Sequence, residues 1–196
     1  ADVGQIACQN CDAQVPTRAT SSEGARSRDE CKCNAGYYRD SQNASAVEIN
    51  CLECSGGKYR ATEGATTESE CLDCSRGTFS SGDAPTVCQQ CQAGKISVQA
   101  SETCSECVKG KYASGLGRTV CEACEAGKFS DQDGADGHDS CGDCDKGKYS
   151  ADVGQVACQS CDAQVPTRAT SSEGARSIHE CKCNAGYYRD SLDAGA

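Results

Sequence analysis

Twenty of the 196 residues are cysteine, and they fall into ten close pairs. Eight pairs are Cys-x-x-Cys; the other two, Cys31/Cys33 and Cys181/Cys183, are Cys-x-Cys. Thiols at this spacing can oxidise to disulfides, chelate zinc as thiolates, or act as a redox-active dithiol. The residues around the pairs decide between these. Counted from the second cysteine, glycine stands at the third place and an aromatic at the fifth: Cys54/Gly57/Tyr59, Cys74/Gly77/Phe79, Cys107/Gly110/Tyr112, Cys124/Gly127/Phe129 and Cys144/Gly147/Tyr149. Cys33/Gly36 and Cys183/Gly186 lead into Tyr37-Tyr38 and Tyr187-Tyr188, and Cys91/Gly94 into Ile96. All nine aromatic residues occupy that slot or the place before it. Zinc would use two pairs per tetrahedral site but has no need of the glycine or the ring, and neither histidine is placed to join a site. Ten dithiols in tandem are architecture, not a catalytic redox centre. The reading is a disulfide scaffold.

The elements that must position these pairs have little else to hold them. Leu, Ile, Val and Phe together number 20, there is no Trp or Met, and the net charge is −10. Such a chain cannot bury enough apolar surface to offset its entropy, and would stay disordered without covalent help. A cystine closing a loop of about 15 residues contributes on the order of 3 kcal/mol in the chain-entropy model, so a series of them can replace a core. Disulfides at this density imply an oxidising compartment, outside the cell or at its surface. The residues include no leader, transmembrane run or initiator methionine, and they are expected to be a piece of a longer secreted chain. A pI of about 4.7 speaks against nucleic acid and anionic membrane as partners.

Two repeats are superimposed. Successive pairs start 16 to 23 residues apart. Above that, residues 1–41 and 151–191 differ only at Ile6/Val156, Asn10/Ser160, Arg28/Ile178 and Asp29/His179, a period of 150 residues. Residues 1–150 therefore form one long repeat of eight short links, starting near Cys8, Cys31, Cys51, Cys71, Cys88, Cys104, Cys121 and Cys141, and residues 151–196 start the next. Helical periodicity is absent. Glycines such as Gly64, Gly82, Gly134 and Gly154 sit near the middle of Ser/Thr/Asp-rich loops, where tight turns need them. The expected fold is small and disulfide-rich: an elongated tandem array of short β-hairpin-like loops, with little regular structure and no single hydrophobic core. Each loop is expected to be pinned at its base by cystine, with the ring over the adjacent bridge. After Cys11 and Cys161 the glycine slot holds Gln14 and Gln164 instead.

Residues 144–189 run Cys-Asp-Lys-Gly-Lys-Tyr-Ser, Gly154, Cys158-x-x-Cys161, Thr-Arg-Ala-Thr-Ser-Ser-Glu-Gly-Ala, then Cys181-Lys-Cys183-Asn-Ala-Gly186-Tyr187-Tyr188-Arg189. This resembles the cysteine-rich, EGF-like segment of ephrin receptors, and the shorter links resemble the ephrin-receptor-like repeats of extracellular proteins. Tumour necrosis factor receptor modules share the Cys-x-x-Gly-x-Tyr opening. The family often has proline directly after the second cysteine; here Asp12, Ser55, Ser75, Gln92, Val108, Glu125, Asp145 or Asp162 stands there, which leaves the turn type open. The resemblance implies an elongated, secreted, disulfide-bonded rod. It does not carry ephrin binding, which a separate receptor domain performs.

Other chemistry is sparse. Asp131, Asp133, Asp136 and Asp139 are a weak candidate for calcium, since Ala135 and Asp136 fail the EF-hand register. No other cofactor is expected. Two histidines, with no nucleophile elbow or phosphate loop, nominate no enzyme. Asn43-Ala44-Ser45 is an N-glycosylation sequon, and Thr17, Thr86 and Thr167, each after a proline in an extended run, are candidates for O-linked sugar.

For the bridges we expect a ladder in which the second cysteine of each pair bonds the first of the next: Cys11–Cys31, Cys33–Cys51, Cys54–Cys71, Cys74–Cys88, Cys91–Cys104, Cys107–Cys121, Cys124–Cys141, Cys144–Cys158 and Cys161–Cys181. Cys8 and Cys183 then bond outside these residues. The one or two residues inside a pair serve as the joint between loops. A crossed arrangement, such as Cys51–Cys71 with Cys54–Cys74, or a mixture with the EGF-like pattern, stays open. The function expected is structural, in an extracellular filament, stalk or surface hair, with a mastigoneme-like fibre as one form. Its partners would be further copies, continuing repeats and covalent glycans, with no membrane insertion of this segment. The alternative is a receptor or adhesion ectodomain that binds a protein or glycan. Near-identity of the long repeats favours the fibre, which needs one surface many times.

Overall fold

A computed structural model describes residues 9–12, 16–40, 49–163 and 168–189. Among them there is no α-helix, and none of the helical turns is long or apolar enough to cross a membrane. The unit of structure is a link. It begins at the second cysteine of a pair and turns at the frame glycine. In the link from Cys54, the Lys58 N–H donates to the Ser55 carbonyl at 3.1 Å and Gly57 has φ +78°. Positive φ at the third turn residue is type II geometry, which glycine adopts at no steric cost. The turn left open by the missing proline is therefore set by the glycine.

The residues after the turn pair with the residues inside the next cysteine pair. These paired segments are strands and not a loose joint. One compact unit contains the described residues of 1–90 with 97–103. In it Ala19–Thr20 pairs with Lys32–Cys33, Tyr37–Arg39 with Cys51–Glu53, Lys58–Tyr59 with Leu72–Asp73, and Thr78–Phe79 with Gln89–Gln90, all antiparallel. The second contains the described residues of 91–96 and 104–196. There Lys95–Ile96 pairs with Ser105–Glu106, Lys111–Tyr112 with Glu122–Ala123, Lys128–Phe129 with Gly142–Asp143, Lys148–Tyr149 with Gln159–Ser160, and Ala169–Thr170 with Lys182–Cys183. Two-residue strands are not stable alone, so something must clamp each hairpin.

Cystine is the clamp. The bridges run Cys11–Cys31, Cys33–Cys51, Cys54–Cys71 and Cys74–Cys88 in the first unit. In the second they run Cys91–Cys104, Cys107–Cys121, Cys124–Cys141, Cys144–Cys158 and Cys161–Cys181. Each joins the second cysteine of one pair to the first of the next. The bridged cysteines are also the interior: Cys54, Cys74, Cys91, Cys107, Cys124 and Cys144 are fully buried. The first unit adds one aliphatic cluster, in which Ile49 packs with Cys31, Cys33 and Cys51 against Cys11, Ala19 and Tyr37.

Tyr37 packs on a bridge cluster; Tyr59, Phe79, Tyr112, Phe129 and Tyr149 are half-buried, and the Phe129 ring lies over Gly142, next to the bridged Cys141 on the opposite strand. The buried position is the next residue: Ser80, Ser97, Ala113, Ser130 and Ser150. Each carries main-chain bonds to the neighbouring link, as do the half-buried Arg39 and Arg60 that hold the same place after Tyr38 and Tyr59.

Candidate functional site

Those main-chain bonds make the links something other than a string of independent loops. The repeating joint between links is the feature on which any structural role would rest. Take the link from Cys107. Its frame Gly110 N–H donates to the Ser130 carbonyl of the next link at 2.9 Å. The Cys107 carbonyl accepts from Gly134 N–H at 2.7 Å, and Ala113 N–H donates to the Ala135 carbonyl at 3.0 Å. The link from Cys124 repeats the three bonds with Ser150, Gly154 and Gln155, at 2.8, 2.7 and 3.1 Å. In the first unit Gly36, Cys33 and Arg39 make them with Arg60, Gly64 and Ala65, at 2.9, 2.7 and 2.9 Å. Parallel bridges Tyr38↔Ala65, Phe79↔Ser101 and Tyr112↔Ala135 mark the same contact. Each of these bonds uses backbone alone, so the side chains that flank them vary, from Ala113 and Ser130 to Arg39 and Arg60; in the link from Cys144 the frame Gly147 N–H donates instead to the Ser171 hydroxyl at 3.1 Å.

The frame glycine has a second reason to lack a side chain. A Cβ on Gly57 would lie 2.1 Å from the carbonyl oxygen of Ala100, and one on Gly110 would lie 2.0 Å from that of Gly154. Both acceptors belong to the link two steps on. Backbone thus approaches backbone at a distance no Cβ tolerates, in addition to the positive φ.

Side chains supply lesser terms. Lys58–Asp73 at 2.7 Å, Lys128–Asp143 at 2.8 Å and Lys95–Glu106 at 3.2 Å are exposed cross-strand ion pairs, worth about 0–1 kcal/mol each. The Lys58 ammonium, as donor and as charge, holds the Asp73 carboxyl below the usual range. Glu70 is held low because its carboxylate accepts from the Thr66 backbone N–H at 2.7 Å and from the Thr66 hydroxyl at 2.8 Å. Tyr112 is pushed up because its hydroxyl donates to Glu122 at 3.1 Å, and Tyr38 is pushed up first by burial.

The remaining candidates fall as follows. Cys8, Asn43 and Thr167 lie outside the described residues. Thr17 is exposed but sits in the 3₁₀ turn Pro16–Arg18 and not in an extended run, and its carbonyl accepts from Asn34 Nδ2 at 2.7 Å. Thr86 is exposed in the loop closed by Cys74–Cys88. Asp133 accepts from the Lys109 N–H at 3.0 Å, Asp136 from the Ser140 hydroxyl at 2.9 Å, and Asp139 lies 3.7 Å from His138 Nδ1. These three point into separate local contacts, and among the described residues no three His, Cys, Asp or Glu side chains, Asp131 included, gather as a metal set. Cys183 is an exposed free thiol.

This geometry has a counterpart among known families. A family model described as tyrosine-protein kinase ephrin type A/B receptor-like matches residues 94–141 and again 134–181. Each match spans consecutive cystine links. No curated protein matches the chain. The chain carries cysteine-rich, ephrin-receptor-like repeats, a class of extracellular type.

Proposed function

We propose that the chain is a structural component of an extracellular filament, stalk or surface hair, and not an enzyme. The observation that carries this reading is the joint itself: three backbone bonds of the same kind recur from link to link in both units. An interface built largely from main chain and recurring in links of both units suits a scaffold that is extended by adding links. The cystine ladder suits an oxidising compartment, and so localisation outside the cell or on its surface. Further repeats and covalent glycans are the partners this reading assigns. Electron micrographs of native material test it: fibres or thin stalks are expected, and compact discrete particles would overturn it. A receptor or adhesion ectodomain is the alternative, and the match to a receptor-like family model is the observation on its side.

A further inference from the structure

Consecutive links of the second unit carry opposite charge. Residues 107–121 contain Lys109, Lys111 and Arg118 and no acid, whereas every other bridged link contains at least one Asp or Glu. Residues 124–141 contain Glu125, Asp131, Asp133, Asp136 and Asp139 against one lysine, Lys128. Neighbours of this kind would be expected to neutralise each other, and they do not. Asp133 accepts from the main-chain N–H of Lys109 at 3.0 Å, and Asp136 from the Ser140 hydroxyl at 2.9 Å. Asp139 has only His138 Nδ1, at 3.7 Å, as an ionic partner, and the exposed Asp131 has none among the described residues. Lys128 is taken by Asp143, Arg118 by Glu122, and Glu125 by Arg176 at 3.9 Å.

Lys109 and Lys111 are left over. Both are exposed, and neither forms an ion pair among the described residues. The strand pairing gives the reason for Lys111: Glu106 stands opposite Lys95 and Asp143 opposite Lys128, but Ala123 stands opposite Lys111. The same link exposes Val108, Leu116 and Val120, at 60%, 64% and 60%. Gly110, between the two lysines, lies so close to Gly154 that a Cβ would stand 2.0 Å from its carbonyl oxygen, and Val153 and Val156 beside Gly154 are exposed too. Residues 124–141, by contrast, contain no Val, Leu or Ile. Cations without acids thus lie beside aliphatics without cover, one link away from acids without cations.

We propose that two copies of this chain dock through these links, Lys109 and Lys111 of each against Asp131 and Asp139 of the other. Each copy presents both halves of the contact, so a two-fold arrangement makes every exchange twice. Val108, Leu116 and Val120 are then buried between the copies and supply affinity, while the screened ion pairs select the partner and set the register. A polyanion would satisfy the lysines and leave the aliphatics and the acids unmatched; a second copy matches all three. The choice of a second copy rests on the filament reading above, to which it adds a contact between chains.

The test is sedimentation of the intact, oxidised 196-residue chain with free thiols alkylated, so that no disulfide can join copies. A reversible monomer–dimer equilibrium is expected, about tenfold weaker in ~0.5 M than in ~0.05 M sodium chloride, because exposed ion pairs are screened. Lys109→Glu with Lys111→Glu, and separately Asp131→Lys with Asp139→Lys, should each leave the chain monomeric. Mixing these two variants should restore the dimer, since each new Glu then faces a new Lys and each native Lys a native Asp. Leu116→Ser with Val120→Ser should weaken the dimer several-fold and keep its salt dependence. Amide exchange at Gly110 and Cys124, whose N–H groups donate to Ser130 and Gly110, should be unchanged in every variant. A monomeric wild-type chain at either salt concentration, charge variants that dimerise like the wild type, or a mixture that stays monomeric would overturn the proposal. Capture of a monomeric chain by an immobilised sulfated polysaccharide would overturn it in favour of a polyanion. Fibres in micrographs beside a monomeric chain would sink this inference alone, and compact particles beside a rescued dimer would sink the filament reading alone.

Discussion

The link closed by Cys54–Cys71 spans 17 residues and the one closed by Cys107–Cys121 spans 14, yet their bridged Cα atoms stand 5.8 and 5.7 Å apart. Both begin with the same turn and end in the same two-residue pairing. The three additional residues are absorbed by a 3₁₀ turn, Glu68–Glu70, which runs into Cys71. The same device appears before Cys31, Cys141 and Cys181, which close links of 20, 17 and 20 residues. Length is thus spent locally, and the joint to the next link does not feel it. A 3₁₀ turn holds about three residues, so it suits increments of this size.

The largest expected effect tests whether the bridges matter equally in both kinds of link. Replacing Cys107 and Cys121 together by serine should cost about 2–5 kcal/mol, and Cys54 with Cys71 about the same, because closure entropy grows only as the logarithm of loop length. Denaturation with limited proteolysis of each double variant checks this; an effect confined to the long link would break the equivalence. Next comes glycine. Gly57→Ala should approach the bridge variants in severity, since it adds a collision with Ala100 to the positive φ. Gly115→Ala, at φ +83° with nothing within 4 Å, should cost only about 1–2 kcal/mol of backbone strain. Comparable melting temperatures for the two would show that the close approach between links is unimportant.

Smaller still is Glu70→Gln. Among the described residues the link from Cys107 has no such turn, so the loss should show as faster amide exchange at Thr66 and Cys71, with Cys121 unchanged. The weakest effect separates the two links by pH. Folded-state values of Glu70 and Asp73 lie below their ordinary ones, so their contribution is complete above the usual carboxylate range and is lost as pH falls through the lowered values. Tyr112 is raised, so its contribution is complete below the ordinary tyrosine value of about 10 and is lost as pH rises through the higher one. The long link should therefore loosen first in acid and the short one in alkali, by amide exchange at low pH and by ultraviolet titration of the tyrosines at high pH. Loosening in the reverse order would contradict both assignments.

The comparison also separates what was legible in the sequence from what was not. The hairpins are legible because every frame glycine stands at the same offset from a cysteine, and covalent closure leaves a two-residue strand little choice of partner. The 3₁₀ turns had a signal that went unread: Ser27-x-x-Glu30, Thr67-x-x-Glu70 and Ser177-x-x-Glu180, each directly before a cysteine, have the capping-box pattern. Glu30 accepts from Arg26 and Ser27 N–H at 2.8 and 3.1 Å, and Glu180 from Arg176 N–H at 2.8 Å. The buried place after four of the rings was also visible, as the serines and alanine of Phe79-Ser80, Tyr112-Ala113, Phe129-Ser130 and Tyr149-Ser150. The approach of Gly57 to Ala100 had no such signal, because spacing within a link says nothing about which backbone stacks on it two links later.

The backbone-only joint makes the loops addressable. Around Gly115 a side chain would meet no neighbour, Leu116 is exposed, and the bonds that join this link to the next are made elsewhere, at Cys107, Gly110 and Ala113. A short foreign peptide spliced between Ser114 and Leu116 would be displayed on a clamped base, flanked by the two bonds that tie this link to the one before it, Gly94 N–H to the Ala113 carbonyl at 2.8 Å and Gly117 N–H to the Cys91 carbonyl at 2.7 Å. Because the same base recurs within each unit, different peptides could be mounted on different links of one chain, each rewritten without touching the sequence of the others.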